Sequence, residues 1–370
     1  MKEPFCFRPL ICFILSAWGL YLRTREFIGR EWWNDERYQL VHIIGPFKPF
    51  WKRFVYGDFT CFPGDYIVTY PFLRIFGLDK LTDPFPSFSI LDRFLLSFPH
   101  ILITIVGFYL LYLICTRYLR TTWGFLIAFS LFAFHRELIF HAFEFRPYAV
   151  LPVLSLAVFY VTGSLIKHNV QQPMLTKFLF GSFFVFTILF HSYGILMVGL
   201  TVLFYLIVDF RSFKEKGSLM AYLKFFGIVF LAAGPWWIWY ATGNPLGVLL
   251  DPNQFETFKY IPNPLIDMLG FLKGVLGNLT GDRKFYILLL SLIVSPLIPH
   301  KERRSQLLFL LLLIVISIEI ILLLDLFKNY MFLQRQFIWV VPWFIFLIAW
   351  QWDSMIYYFA VRKNPQGQNA

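Results

Sequence analysis

Charge is scarce in this chain. Only 15% of its 370 residues are Asp, Glu, Lys or Arg, against about a quarter in a soluble domain. Acid is scarcer than base, with 22 Asp and Glu to 33 Lys and Arg. Cysteine is scarce too: Cys6, Cys12, Cys61 and Cys115 show no CxxC spacing. That supports neither a zinc site nor a disulfide framework. There is no Walker A sequence, no GxGxxG after a strand, no GxSxG and no HExxH. Soluble nucleotide chemistry therefore has no visible home, and the short basic loops leave no room for a nucleotide-sugar domain.

What is abundant is apolar and aromatic: 58% of residues are hydrophobic and 21% are Phe, Trp or Tyr. A soluble chain does not sustain that load, whereas a polytopic membrane protein does. Long continuous apolar runs read as helices and not as the alternating strands of a barrel. We expect an all-α polytopic membrane protein with about ten spans. They fall near 9–22, 97–115, 122–140, 148–166, 178–190, 192–209, 224–240, 285–299, 306–324 and 337–352. Lys2 and Arg8 precede the first run, but no small-residue cleavage site follows Leu22, so it reads as a retained helix. The whole of 1–355 reads as one transmembrane domain, with 356–370 as a tail.

The net charge of +11 is spread over short loops. This argues against nucleic acid as a partner and fits the bias of cytoplasmic loops toward Lys and Arg. With the N-terminus inside, the inner connections carry Arg8, Arg117, Arg120, Lys167, Lys177, Arg211, Lys301, Arg303, Arg304, Arg362 and Lys363. Ten spans return the C-terminus to the cytoplasm. The outer face then receives residues 23–96, 141–147, His191, 241–284 and 325–336, where the unusual polar residues lie. Residues 23–96 are too long and too aromatic for a bare connection. They suit interfacial helices, with Trp32, Trp33, Phe47, Phe50, Trp51 and Phe54 in the headgroup region. Residues 241–284, rich in Pro and Asn, suit a second ordered external element.

Four groups of polar residues stand out. In EWWNDERYQL (31–40), Asp35 and Glu36 adjoin a tryptophan pair. A carboxylate under an apolar roof can act as a general base, and an acidic pair can equally satisfy a helix N-terminus. In HAFEFRPY (141–148), Glu144, Arg146 and Tyr148 alternate before a span. They pair with each other, anchor the helix end, or serve a substrate. His191 interrupts two apolar runs, with Tyr193 beside it, and reads as structural or as a site residue. Arg335, with Lys328 in reach, is an interface anchor or a phosphate clamp, because guanidinium matches phosphate in a bidentate fork. Asn278-Leu279-Thr280 fits a glycosylation sequon, a short match of little specificity.

Taken in order, these pieces resemble the GT-C superfamily of membrane glycosyltransferases. The likeness is to the polyprenyl-phosphate-dependent branch that includes protein O-mannosyltransferases and the aminoarabinose transferases of lipid A (family 39-like). The residues carrying it are Asp35-Glu36, TCFPGDYIVTYPFLRIFG (60–77), SILDRFLLSFPHI (89–101) with Arg93, FEFRPYAVLPVLSL (143–156), His191 and QRQFIWVVPWF (334–344). The resemblance spans most of 1–350, though 41–59 is a basic and aromatic insertion relative to the family pattern.

It implies a sugar donor on a polyprenyl phosphate and a lipid, glycan or protein acceptor. Asp35 would be the base that deprotonates the acceptor hydroxyl. Arg335 would hold the leaving phosphate, with Arg146, Arg93 and Lys328 behind it. Glu36 and Glu144 would orient the acceptor or the arginines. No cofactor is implied, and a divalent cation is compatible with the acidic pair but not required. Two other classes fit the spans. A transporter or flippase for a lipid-linked glycan would place charges at mid-membrane in pseudo-symmetric halves. A membrane acyltransferase would use a His in an embedded channel. A purely structural protein would leave the one-sided set of acid, His and Arg without a purpose.

Overall fold

The computed structural model describes residues 7–32, 36, 39–40, 64–78, 89–167, 173–191, 193–210, 213, 218–242, 274, 277, 298, 301–328 and 337–363. Among these every regular element is helical. In chain order they are α1 (Phe7–Gly29), α2 (Gly64–Ile75), α3 (Ile90–Tyr118), α4 (Thr122–Phe134), the short α5 (Arg136–Phe140), a 3₁₀ turn (Pro147–Ala149) and α6 (Leu151–Lys167). There follow α7 (Met174–Phe190), α8 (Gly194–Val208), α9 (Leu219–Thr242), α10 (Lys301–Lys328) and α11 (Val341–Lys363). The expected spans fall on these helices, apart from 285–299, which lies outside the described residues save for Ile298.

Among the described residues, three helical stretches are long and apolar enough to cross a membrane: Ile90–Tyr118, Leu219–Trp236 and Arg303–Ile321. Apolar helices of 10–17 residues are Thr122–Phe134, Leu151–Leu165, Met174–Phe190 and Gly194–Val208. The outer surface is apolar as well. Phe13, Ile14 and Trp18 on α1, Phe178 and Leu179 on α7, and Ile228 and Leu231 on α9 are all exposed. Water-facing surfaces do not carry such contiguous apolar belts. Composition, helices and surface together give the chain the character of an α-helical membrane protein.

Two helices form the hub. α6 packs against α3, α7, α8 and α11, while α11 also meets α4 and α10. From Phe337 to Gln351 every residue is buried. A helix apolar all round belongs in the interior. α1 leans on α4 and α3, α9 on α7, and α2 on α3 and α7. Cys12 and Cys115 are free thiols buried in this core.

α3 sets the height of the bundle. Its first turn is closed by a capping box, in which the Ser89 side chain accepts from the Asp92 N–H and Asp92 accepts from the Ser89 N–H. It then runs 29 residues, about 43 Å at 1.5 Å per residue. That is long enough to cross a hydrocarbon layer about 30 Å thick.

Three expectations are corrected. α1 continues to Gly29, seven residues into the segment read as an external loop, because FRPLICFILSAWGLYLRTREFIG keeps an apolar face through Phe27. Trp32, expected in the headgroup region, is buried and stacks on Phe145 with ring centroids 6.1 Å apart. The span drawn over 122–140 breaks at His135, whose backbone is extended. The apolar run TWGFLIAFSLFAF ends there and the polar HRE begins. Among the described residues of 23–96, α2 is helical. Trp33, Asp35, residues 41–63 and residues 243–273 lie outside the described residues.

Candidate functional site

The polar groups gather at the end of the bundle where α3 begins. They come from five places in the chain: the segment after α1, α2, the first turns of α3, the link from α5 to α6, and the break between α7 and α8.

Glu36 is fully buried. Its Oε1 accepts from Arg30 Nη2 at 2.7 Å and from the Phe145 backbone N–H at 2.9 Å. The two stretches joined by that second bond are 109 residues apart in sequence. Burial pushes the Glu36 carboxyl above its ordinary range. The Arg30 charge opposes this, the nearby Glu144 charge adds to it, and the bonds from Phe145 and Arg30 oppose it again. Glu36 and Glu144 are thus close enough to repel, and Glu36 is bonded to the N–H of the residue that follows Glu144.

Glu144 is also fully buried. Its Oε2 lies 2.5 Å from His141 Nδ1, while His141 Nε2 lies 3.5 Å from Glu137 Oε2. Glu137 stands one helical turn before His141 and Glu144 three residues after it, so one imidazole is held between two carboxylates. Burial alone would push His141 down. The charge of Glu144 and the bonds to both carboxylates outweigh that and raise it to about 9. His141 is therefore an imidazolium at neutral pH.

A second carboxylate–imidazole pair sits beside the first. Asp65, the second residue of α2, has Oδ1 3.0 Å from His100 Nε2 on α3, and its Oδ2 accepts from Gln39 Nε2. Both partners are fully buried. Gly64 makes this possible. A Cβ there would stand 2.4 Å from the Phe190 Cα, so only glycine lets the start of α2 press against the end of α7. Phe145 separates the two pairs, with its ring edge-on to His100 at 6.0 Å.

A row of rings extends the site inward. His141 meets Tyr148 at 6.1 Å, Tyr148 meets His191 at 6.3 Å, His191 stacks on Tyr193 at 4.8 Å, and Tyr193 stacks on Trp339 at 6.1 Å. His191 Nδ1 accepts from the Tyr193 N–H at 3.3 Å, which leaves its proton on Nε2. Its surroundings and the Arg146 charge push it down, so it stays neutral. A small cavity of about 20 Å³, room for one water, opens between Arg23, Thr104, His141 and Tyr148.

Of the residues expected at the site, Glu36, Glu144, Tyr148 and His191 converge here. The Arg146 guanidinium lies over the Tyr148 ring at 5.8 Å. Arg93 is at the same end. It donates to the carbonyls of Phe27 and Arg30 at 2.7 and 2.8 Å and so clamps the end of α1 to α3. Lys328 closes α10, with its side chain outside the described residues, as are Asp35 and Arg335. Sequence reasoning missed Arg30, Asp65, His100, Glu137 and His141. His141 had a readable signal in its spacing, with Glu137 four residues before it and Glu144 three after. The pairing of Asp65 with His100 had none. Among the described residues no group of three or more His, Cys, Asp or Glu is placed to hold a metal ion.

Comparison with family models, with curated proteins and with solved structures returned no match.

Proposed function

We propose that this chain is an integral-membrane glycosyltransferase that moves a sugar from a polyprenyl phosphate to an acceptor hydroxyl. The observation that carries the reading is the bond from the Phe145 N–H to Glu36. It joins Glu36, one member of the acidic pair, to the E-x-R-P-Y stretch in a buried acid–base cluster at a bundle end, and these two stretches are the most specific parts of the resemblance. The largely buried row of Tyr148, His191, Tyr193 and Trp339 backs that cluster.

In this reading about ten spans cross the membrane and the cluster faces the outside, with both termini in the cytoplasm. Arg8, Arg117, Arg120 and Arg303 lie at the opposite end, which suits a cytoplasmic face. Asp35, next to Glu36, takes the proton of the acceptor hydroxyl as its oxygen attacks the anomeric carbon. The bond from that carbon to the phosphate oxygen breaks, and the phosphate leaves with the electron pair. One base and one phosphate clamp give inversion. Base assistance of this kind is worth roughly 10²–10⁴ in rate. Arg335 neutralises the leaving phosphate.

The test uses purified protein in lipid nanodiscs with a panel of polyprenyl-phosphate sugars. Wild type should bind and turn over at least one donor. Asp35→Asn should bind it and transfer nothing. Arg335→Ala should lose donor affinity, and Arg335→Lys should recover only part of it, because the fork is gone. Binding to no donor would sink the reading and move the weight to a transporter or an acyltransferase.

A further inference from the structure

A transferase of the kind proposed above takes a proton from its acceptor hydroxyl at each turnover, and that proton must reach water. We propose that Glu144, His141 and Glu137 form the exit path for that proton. The inference rests on the glycosyltransferase reading and adds a route that the resemblance does not supply.

The geometry grades outward. The Glu144 side chain is fully buried, that of His141 is 4% exposed, and that of Glu137 is 19% exposed. The imidazole presents one nitrogen to each carboxylate, at 2.5 and 3.5 Å. At the inner end Glu144 lies near Glu36, the sequence neighbour of the proposed base. At the outer end Glu137 opens α5, close to His135 and Arg136. Two carboxylates, on opposite nitrogens and differently exposed, give the ring one contact toward the interior and one toward the surface.

His141 starts doubly protonated. A proton from the base reaches Glu144 and makes it a neutral acid, which weakens its hold on the positive ring. His141 gives its Nε2 proton to Glu137, which passes it to water. The ring, now neutral, turns over and its bare nitrogen takes the proton from Glu144. One proton has entered at Glu144 and one has left at Glu137. The cavity against His141 gives the ring room for that turn. The charged and titratable groups facing the path are Glu36 and Arg30 beyond the end of α1, Arg23 on α1, Arg93 on α3, His135 and Arg136 beside Glu137, and Tyr148 on the 3₁₀ turn.

The test compares wild type, His141→Gln, His141→Ala and Glu137→Gln in nanodiscs. For His141→Gln, turnover should fall at least ~10-fold while donor Kd stays within about twofold of wild type. Imidazole added in solution should restore part of the His141→Ala activity, since it can occupy the space and carry the proton. Glu137→Gln should lower turnover in the same sense and shift its pH profile. A His141→Gln enzyme with full turnover, or a loss matched by lost donor affinity and not rescued by imidazole, overturns the path. Nitrogen-15 NMR of the histidines gives a readout free of activity and of variant folding. In wild type at pH 7.5 the His141 ring should carry protons on both nitrogens, and a singly protonated ring would end the proposal. If wild type transfers no sugar, the glycosyltransferase reading fails and the source of the proton goes with it, whereas a wild type that transfers sugar with His141→Gln at full turnover overturns the path alone.

Discussion

The two ends of this bundle both bury carboxylates, and they use them differently. At the end where α3 finishes, Asp353 of α11 accepts from the backbone N–H of Arg120 at 3.0 Å, from that of Thr121 at 2.7 Å, and from the Thr121 hydroxyl at 2.7 Å. Arg303 of α10 approaches it at 3.5 Å. Gly124 leaves the space, since a Cβ there would stand 2.7 Å from Asp353 Oδ1. Nearly every bond ends on the α3–α4 connection. The carboxylate is an anchor at the N-terminus of α4, where the helix dipole favours a negative charge. At the other end Glu36, Asp65 and Glu144 are bonded largely to side chains that titrate or carry charge: Arg30, His100 and His141. An anchor wants fixed donors, whereas a site that moves protons wants partners that can change state. Burial alone does not mark a functional carboxylate; the partners do.

The largest effect should come from breaking the anchor. Asp353→Ala strands three donors and the Arg303 charge, a loss on the order of 3–5 kcal/mol for an uncompensated buried group. Thermal unfolding in detergent should drop steeply and expression should fall. If the proposed transferase reading holds, whatever protein remains folded should keep its donor affinity, because Asp353 lies at the end of the bundle away from Glu36 and Glu144. A variant that folds normally but loses donor binding would erase the distinction between the ends.

The next effect separates the ends by pH. The folded state holds His141 at about 9, above its ordinary 6.5. The folded protein therefore binds the proton more tightly than the unfolded chain. That stabilisation is fully present below about pH 6.5 and is lost as pH rises through about 9. Unfolding temperature should decline between those values in wild type. The decline should be smaller in His141→Gln and unchanged in a variant of the Asp353 end. Equal slopes in wild type and His141→Gln would show that the imidazolium is not held between its two carboxylates.

Much of the fold was legible because lipid leaves few options. Apolar runs of the right length had to be helices, and α3, α9 and α10 lie where the runs predict. Boundaries slipped where the chain mixes signals. α1 runs past Leu22 because Arg23 satisfies itself on the carbonyls of Gly19, Phe132 and Ala133, so a charge did not end the helix. The span over 122–140 was drawn unbroken because His135 looks like one polar residue in an apolar run. At the site, residues near unusual neighbours were readable, as Glu36, Glu144 and His191 were. Those paired across distance were not: nothing in GDYIV and FPHIL announces that Asp65 meets His100, 35 residues later. Pairings of that kind are decided by packing, here by how closely Gly64 lets α2 approach α7.

The smallest effect is the one that sharpens the contrast most cheaply. Near the anchored end, the hydroxyls of Tyr118 and Tyr205 lie 2.6 Å apart, and the Tyr205 hydroxyl also donates to the Phe159 carbonyl at 3.2 Å. Tyr118→Phe removes one hydroxyl and leaves the ring among Phe159, Phe346 and Trp350. Tyr205 keeps its carbonyl, so no buried donor is orphaned. The cost should be about 0.5–1.5 kcal/mol, the net worth of one hydrogen bond, read as a modest fall in unfolding temperature. Donor affinity, turnover and the pH dependence of stability should all match wild type. The Tyr118 site sits a full helix length from Glu36, and residues so far apart with no shared partners add independently. A shift in turnover from this variant would mean that the two ends communicate through α3, and the separation of anchor from site would have to be given up.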